Sequence, residues 1–156
     1  MKKAKIIQTT VGPIGVAEKN GSLTNIFFGK TVYPEEYETA DTPLLKEADR
    51  QITEYFGGTR TTFDLPLEPE GTEFERAVWS ALLTIAYGQV RSYKEIAVQI
   101  GRPKACRAVG RANGLNPISI IIPCHRVIGS NGSLTGYAGG LPLKEQLLKL
   151  EGAWLL

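Results

Sequence analysis

Four isoleucines lie between Pro117 and Pro123, and directly behind the second proline stand Cys124 and His125. No other stretch restricts the fold as much. β-Branched residues favour a pleated backbone, and a run this short and apolar reads as a buried strand that Pro123 ends. His125 is the one histidine of the 156 residues. A thiol beside an imidazole, just past a buried strand, sits where a rigid scaffold presents reactive groups. Neighbouring residues of a strand point to opposite faces, so the two can cooperate only if the chain turns sharply after Pro123. The plainer alternatives are an inert core cysteine and a histidine satisfied by an ordinary hydrogen bond.

Composition narrows the compartment and the chemistry. With 42% hydrophobic and 22% charged residues the chain suits a soluble globular protein, either one domain or two small packed ones. No run approaches the ~20 apolar residues of a membrane span. Met1-Lys2-Lys3-Ala4-Lys5 is not followed by an apolar stretch, so no secretory signal is expected. Cys106 and Cys124 are too few for a disulfide framework, and a reducing cytoplasm is the expected location. One histidine and two cysteines make a structural zinc site improbable, so no metal is expected. No cofactor is expected either. The glycine-rich run 136–140 lacks the Lys-Ser/Thr ending of a phosphate loop, and no other cofactor motif stands in the chain.

The net charge of +2 hides an asymmetry. Residues 31–90 hold twelve acids against four bases, whereas residues 91–126 hold seven bases, Arg126 among them, against the single acid Glu95. A basic segment is often only a solvated face. Here the bases cluster over two short predicted helices, which suits a polyanion partner.

The N-terminal half reads as a small α/β domain, residues 1–65, with an antiparallel sheet. Asn20-Gly21 between alternating apolar residues is a two-residue hairpin signal, and Gly12-Pro13 marks an earlier turn. Residues 30–41 are expected to form a loop. Thr42-Pro43 opens a helix with an apolar stripe at Leu45, Ala48, Ile52 and Phe56 that Gly57-Gly58 stop. Thr61 to Leu65 is a candidate strand. Residues 66–71, with two prolines and a glycine, are the expected linker.

The second domain, residues 72–156, is expected to be mainly α and of winged helix-turn-helix type. Thr72 and Glu75 have capping-box spacing and start a helix expected to run to about Tyr87-Gly88. Ser92 and Glu95 repeat that spacing for a helix ending at Gly101, and Pro103 opens another that Gly114 ends. Two short helices with a tight turn match a helix-turn-helix. Lys104, Arg107 and Arg111 recur at three- and four-residue steps, forming one basic stripe on the second helix. Cys106 reads as a small packing residue. Pro142 begins the last helix, whose apolar face is Leu143, Leu147 and Leu150, and Trp154 is expected to cap the core.

Attack on carbon requires the thiolate, and a free cysteine has a pKa of about 8.5. His125 is the available general base, and a base that accepts a proton works best with its other nitrogen held by a carboxylate. Beyond Val90 the acids are Glu95, Glu145 and Glu151. Glu95 belongs to a capping box and Glu145 stands four residues before Lys149, a surface-pair spacing, which leaves Glu151.

Taken together, Ser92-Tyr93, Arg107-Ala108-Val109-Gly110, Asn116-Pro117, Pro123-Cys124-His125-Arg126-Val127, Gly136-Tyr137-Ala138-Gly139-Gly140, Lys144 and Glu151 form one pattern. From about Gly71 to Gly152 it resembles the O6-alkylguanine-DNA alkyltransferase family. Two departures show: Ala86 stands where a proline is common, and Ala138 where a serine often follows the tyrosine. The resemblance implies a DNA-repair protein that rotates O6-alkylguanine out of a duplex and moves the alkyl group irreversibly onto its own Cys124. It implies activation by His125, Glu151 and a bridging water, with Asn116 bracing the turn into the active segment. Tyr93 and Arg107 would drive base flipping, while Lys104, Arg111 and Arg126 would hold DNA. Val127, Tyr137 and Ala138 would line the base pocket. From the residues alone, Tyr93 is equally a core residue and Arg107 a phosphate contact. Double-stranded DNA carrying O6-alkylguanine is the expected partner, met by a monomer, with cooperativity on DNA left open. A DNA-binding module without transfer chemistry, and a Cys-His hydrolase, are the competing readings.

Overall fold

In a computed structural model the chain divides into two compact units, Met1–Pro69 and Glu70–Leu156. The structure describes residues 2–28, 37–137 and 139–153. The expectations for Trp154 and for most of the 30–41 loop fall outside these residues.

The first unit is a four-stranded sheet with one helix. Strands β1 (Lys2–Thr9), β2 (Gly12–Lys19) and β3 (Ser22–Phe28) pair antiparallel, and β4 (Tyr37–Thr39) lies parallel to β1, giving the order β3-β2-β1-β4. Asn20 and Gly21 both take positive φ, 54° and 82°, as a two-residue hairpin turn with right-handed twist demands. Thr42 caps helix α1 (Pro43–Phe56) by accepting from the Leu45 N–H, and α1 buries Leu45, Ala48, Ile52 and Tyr55.

Two expectations for this unit need correction. Residues 37–39, expected as loop, are β4. This pairing depends on a partner some 35 residues away in sequence, which no local pattern reveals. Residues 61–65 form no strand. Gln51 of α1 takes both backbone groups of Asp64, donating to its carbonyl at 3.2 Å and accepting from its N–H at 2.9 Å, so neither is available to a ladder. The chain instead pairs at Leu67, opposite Leu23.

The second unit is mainly helical: α2 (Glu73–Leu82), α3 (Tyr93–Gln99), α4 (Cys106–Gly114) and α5 (Leu141–Leu150), with a parallel two-stranded pair β5 (Arg91–Ser92) and β6 (Val127–Ile128). Both capping boxes form, Thr72 with Glu75 and Ser92 with Glu95. Gly101, at φ 77°, ends α3 in the left-handed conformation that turns the chain toward α4, completing a helix-turn-helix. The buried Trp79 donates its indole N–H to the Ala112 carbonyl at 2.8 Å, locking α2 to α4.

Helix α2 ends sooner than its apolar spacing predicts. The Thr84 hydroxyl donates to the Ala81 carbonyl at 2.6 Å and the Ile85 N–H reaches Leu82, so the backbone tightens into a turn. Ile85 stays buried, but in that turn. Among the described residues no helix is long and apolar enough to cross a membrane.

Candidate active site

The isoleucine run is buried as expected but is not a strand. Ile118, Ile120, Ile121 and Ile122 are all in the core, yet the chain folds back on itself: the Ile122 N–H donates to the Ile118 carbonyl at 2.9 Å. Ile120 sits at φ 76°, left-handed, which costs a β-branched residue on the order of 1–3 kcal/mol. Burial of each isoleucine, worth roughly 1.5–3 kcal/mol, offsets that. Asn116 braces the turn at both ends, accepting from the Ile118 N–H at 3.0 Å and donating to the Ile122 carbonyl at 2.7 Å. A β-branched run therefore reported burial here, not extension.

The sharp turn that cooperation requires is present. Cys124–Arg126 form one turn of 3-10 helix, closed by the Arg126 N–H on the Pro123 carbonyl. Cys124, His125 and Arg126 are all buried. Asn113, the last residue but one of α4, donates to the Cys124 carbonyl at 3.3 Å and ties the reactive residue to that helix.

Around His125 the polar atoms form a chain. Its Nε2 lies 2.7 Å from Glu151 Oε2, and the carboxylate, as an acceptor, fixes the proton on that nitrogen. Nδ1 then carries a lone pair, is buried, and has no hydrogen-bond partner among the described residues. Arg126 donates from Nε to Glu151 Oε1 at 2.8 Å and from a terminal nitrogen to Oε2 at 3.0 Å. Its other terminal nitrogen donates to the Ile85 carbonyl at 2.6 Å. This paired guanidinium offsets the desolvation of the buried carboxylate. Burial pushes the His125 pKa down, against the hydrogen bond to Glu151, and so favours the neutral imidazole. Burial also pushes the Cys124 thiol up, opposed by hydrogen bonding from Asn116 and Ser119 and by the charge of Lys144.

Arg126 corrects an expectation. It was expected on the DNA-holding face. It is buried instead, with its charge spent on Glu151, because the 3-10 turn directs it inward. A count of bases along the sequence cannot separate an interior counter-charge from a surface one.

Helix α5 presents a face rotated from the expected one, burying Lys144, Leu147 and Leu148 with Glu151 directly beyond. Their spacing of three, one and three residues is itself a helical stripe, and it was the available signal for Lys144. The Lys144 ammonium donates to the Val127 carbonyl at 2.6 Å and the Thr135 carbonyl at 2.9 Å, joining β6 to the following loop. Burial lowers its pKa to about 8. Lys144→Met should destabilise the protein by about 2 kcal/mol: two carbonyls lose their donor, at roughly 1–3 kcal/mol each, and removal of a buried charge offsets part of the loss. The urea midpoint checks this, and an unchanged midpoint would show that the two carbonyls find other partners.

The remaining candidates divide between pocket and surface. Val127 is fully buried and half-buried Tyr137 stands edge-on to the His125 ring, with centroids 6.5 Å apart. Ala138 lies outside the described residues. Tyr93 begins α3 half-buried, its hydroxyl hydrogen-bonded to Thr135 Oγ1, so it faces the same loop that Lys144 secures. Arg107 and Arg111 are exposed on α4. Lys104 is exposed too, but α4 starts only at Cys106, which puts Lys104 in the preceding turn rather than on the helix. Cys106, expected as packing, is exposed as the first residue of α4.

Comparison with known proteins agrees over both units. Residues 73–153 match the family model for the DNA binding domain of 6-O-methylguanine DNA methyltransferase, and residues 2–69 match its ribonuclease-like domain. A methylated-DNA–protein-cysteine methyltransferase of Methanosarcina barkeri is 53% identical over 149 residues, 94% of either chain. The crystal structure of the Mycobacterium tuberculosis O6-methylguanine methyltransferase superposes with a TM-score of 0.90 at 47% identity, covering 98% of this chain and 94% of that one. A structure of the same mycobacterial protein in complex with DNA also matches, with a TM-score of 0.90 at 47% identity over 97% and 93% of the two chains. Matched in both units, and about half identical to relatives along nearly its whole length, the chain belongs to the O6-methylguanine-DNA methyltransferase family, the methylated-DNA–protein-cysteine methyltransferases.

Proposed function

We propose that this DNA-repair methyltransferase acts once, as a monomer in the reducing cytoplasm, on O6-alkylguanine in duplex DNA, flipping the base out and keeping its alkyl group on Cys124. The observation that carries the reading is a buried thiol followed in sequence by a buried imidazole whose far nitrogen is held by the Arg126-paired Glu151. The thiol gives its proton, through a bridging water, to Nδ1 of His125. The sulfur–carbon bond then forms as the carbon–O6 bond breaks, and the departing guanine takes back one proton. Thiol and O6-alkylguanine thus become thioether and guanine. No cofactor motif is at hand to reverse a thioether, so each chain reacts once. Val127 and Tyr137 line the base pocket, and Asn116 holds the turn that leads into it.

The alkylated oxygen lies on the pairing edge of guanine, so a sulfur buried in the protein reaches it only after the nucleotide rotates out. Tyr93 pushes at the neighbouring phosphate and Arg107 fills the vacated stack, while Lys104 and Arg111 contact phosphates. A residue that fills the stack offsets an unstacking cost of a few kcal/mol. Arg107→Ala should therefore slow repair of a paired O6-methylguanine about tenfold or more while leaving the reaction with free O6-benzylguanine nearly unchanged. Lys104→Ala should instead weaken binding to every sequence alike and reduce the salt slope by about one phosphate contact. Identical behaviour of the two variants in both assays would make Arg107 an ordinary phosphate contact.

A further inference from the structure

Ser119 carries a feature that the activation chain does not use. It is buried one residue before the left-handed Ile120, and its Oγ stands 3.9 Å from the Cys124 sulfur. Among the described residues its hydroxyl makes no other hydrogen bond. The neighbouring Asn116 also acts on the sulfur, but its amide is at the same time bonded to the backbone at Ile118 and Ile122.

A hydroxyl has one hydrogen to donate, and buried donors are normally satisfied. While Cys124 is a thiol, its S–H points to the Ser119 oxygen and the serine hydrogen has no acceptor among the described residues. Loss of the thiol proton turns the sulfur into an anionic acceptor at that very place. The same hydrogen bond can then run in the opposite direction, from serine to sulfur, and bonds to an ionised partner are the stronger kind.

We propose that Ser119 is a positioning residue for the nucleophile: its hydroxyl turns to donate to the Cys124 thiolate and holds the sulfur in its attacking state. The strained Ile118–Ile122 turn is the device that brings this hydroxyl to the sulfur. The inference rests on the reading of Cys124 as the alkyl acceptor. Other groups also act on the sulfur: Lys144 from α5, Tyr93 from α3 and Asn116 ahead of the turn; His125, with its partners Glu151 and Arg126, is the base assigned to it. All of them remain when Ser119 is changed, so a difference between the variant and the parent isolates the serine.

The test is the pH profile of Cys124 alkylation by iodoacetamide in the full chain, with Cys124 and Cys106 followed separately by the mass of their peptides. In Ser119→Ala the midpoint for Cys124 should move up by about one pH unit, so that reaction near neutrality is about tenfold slower. The alkaline plateau and the Cys106 profile should stay where they are. A midpoint reads the state of the sulfur and not the amount of active protein, so partial misfolding cannot imitate the shift. An unmoved midpoint, or a loss of rate that is the same at every pH, would overturn the role of Ser119. Failure of the acceptor reading would show elsewhere, as an unmodified Cys124 in the parent protein after exposure to O6-methylguanine duplex.

Discussion

Cys124→Ala should lose alkyl transfer down to background while keeping its affinity for duplex DNA to within about twofold, since phosphate contacts dominate that affinity. The candidate DNA contacts, Lys104, Arg107 and Arg111, are exposed, whereas the sulfur is buried in the core of the second unit. Removing the sulfur deletes one small buried atom and the 3.9 Å contact to Ser119, so the expected loss of stability is about 1 kcal/mol. Transfer assayed beside a salt-dependent binding titration separates the two properties. A variant that loses both would mean that Cys124 supports the fold of the binding face, through the Asn113 bond from α4. A variant that still transfers would move the acceptor elsewhere, with the exposed Cys106 the first residue to examine.

Glu151→Gln should produce the second large effect, in both rate and stability. The carboxylate holds the proton on His125 Nε2 and accepts two bonds from Arg126. An amide keeps the shape but cannot balance the guanidinium, and one of its two positions is now a donor. Breaking a buried ion pair from one side typically costs about 3–5 kcal/mol. Loss of an oriented base lowers rates by roughly 10²–10⁴-fold. Transfer should therefore be measured per folded molecule, with the denaturation midpoint recorded beside it. A lowered midpoint with an unchanged rate would keep Glu151 as a structural partner of Arg126 and remove it from proton transfer.

These residues also show what was legible in the sequence. Features set by local chemistry could be read directly: the Asn20-Gly21 hairpin, the Thr42-Pro43 helix start, and the capping boxes at Thr72 and Ser92 each depend on residues within a few positions of one another. The pairing of His125 with Glu151 could be reached by elimination, because few acids exist beyond Val90. What could not be read depends on direction in space. The isoleucine run announces burial, but whether it is extended or folded back is settled by the side chain of Asn116 and by Ile120 accepting a left-handed backbone. Arg126 and Arg107 are the same residue type in the same basic segment, one sealed against Glu151 and the other in solvent. Lys144 looks like a surface lysine until the helical step to Leu147, Leu148 and Glu151 is laid out. Ser119 lies within a run whose apolar neighbours draw attention away from its hydroxyl.

The most direct test of the central claim is the stoichiometry of transfer. An excess of duplex carrying O6-methylguanine with a radiolabelled methyl group is incubated with the protein, and the label is followed into peptides over time. The label should stop at about one methyl group per chain, all of it on the Cys124 peptide, with no further release of repaired DNA however long the incubation. Continued repair beyond one lesion per chain, or label that settles on any other residue, would contradict a single-use acceptor at Cys124.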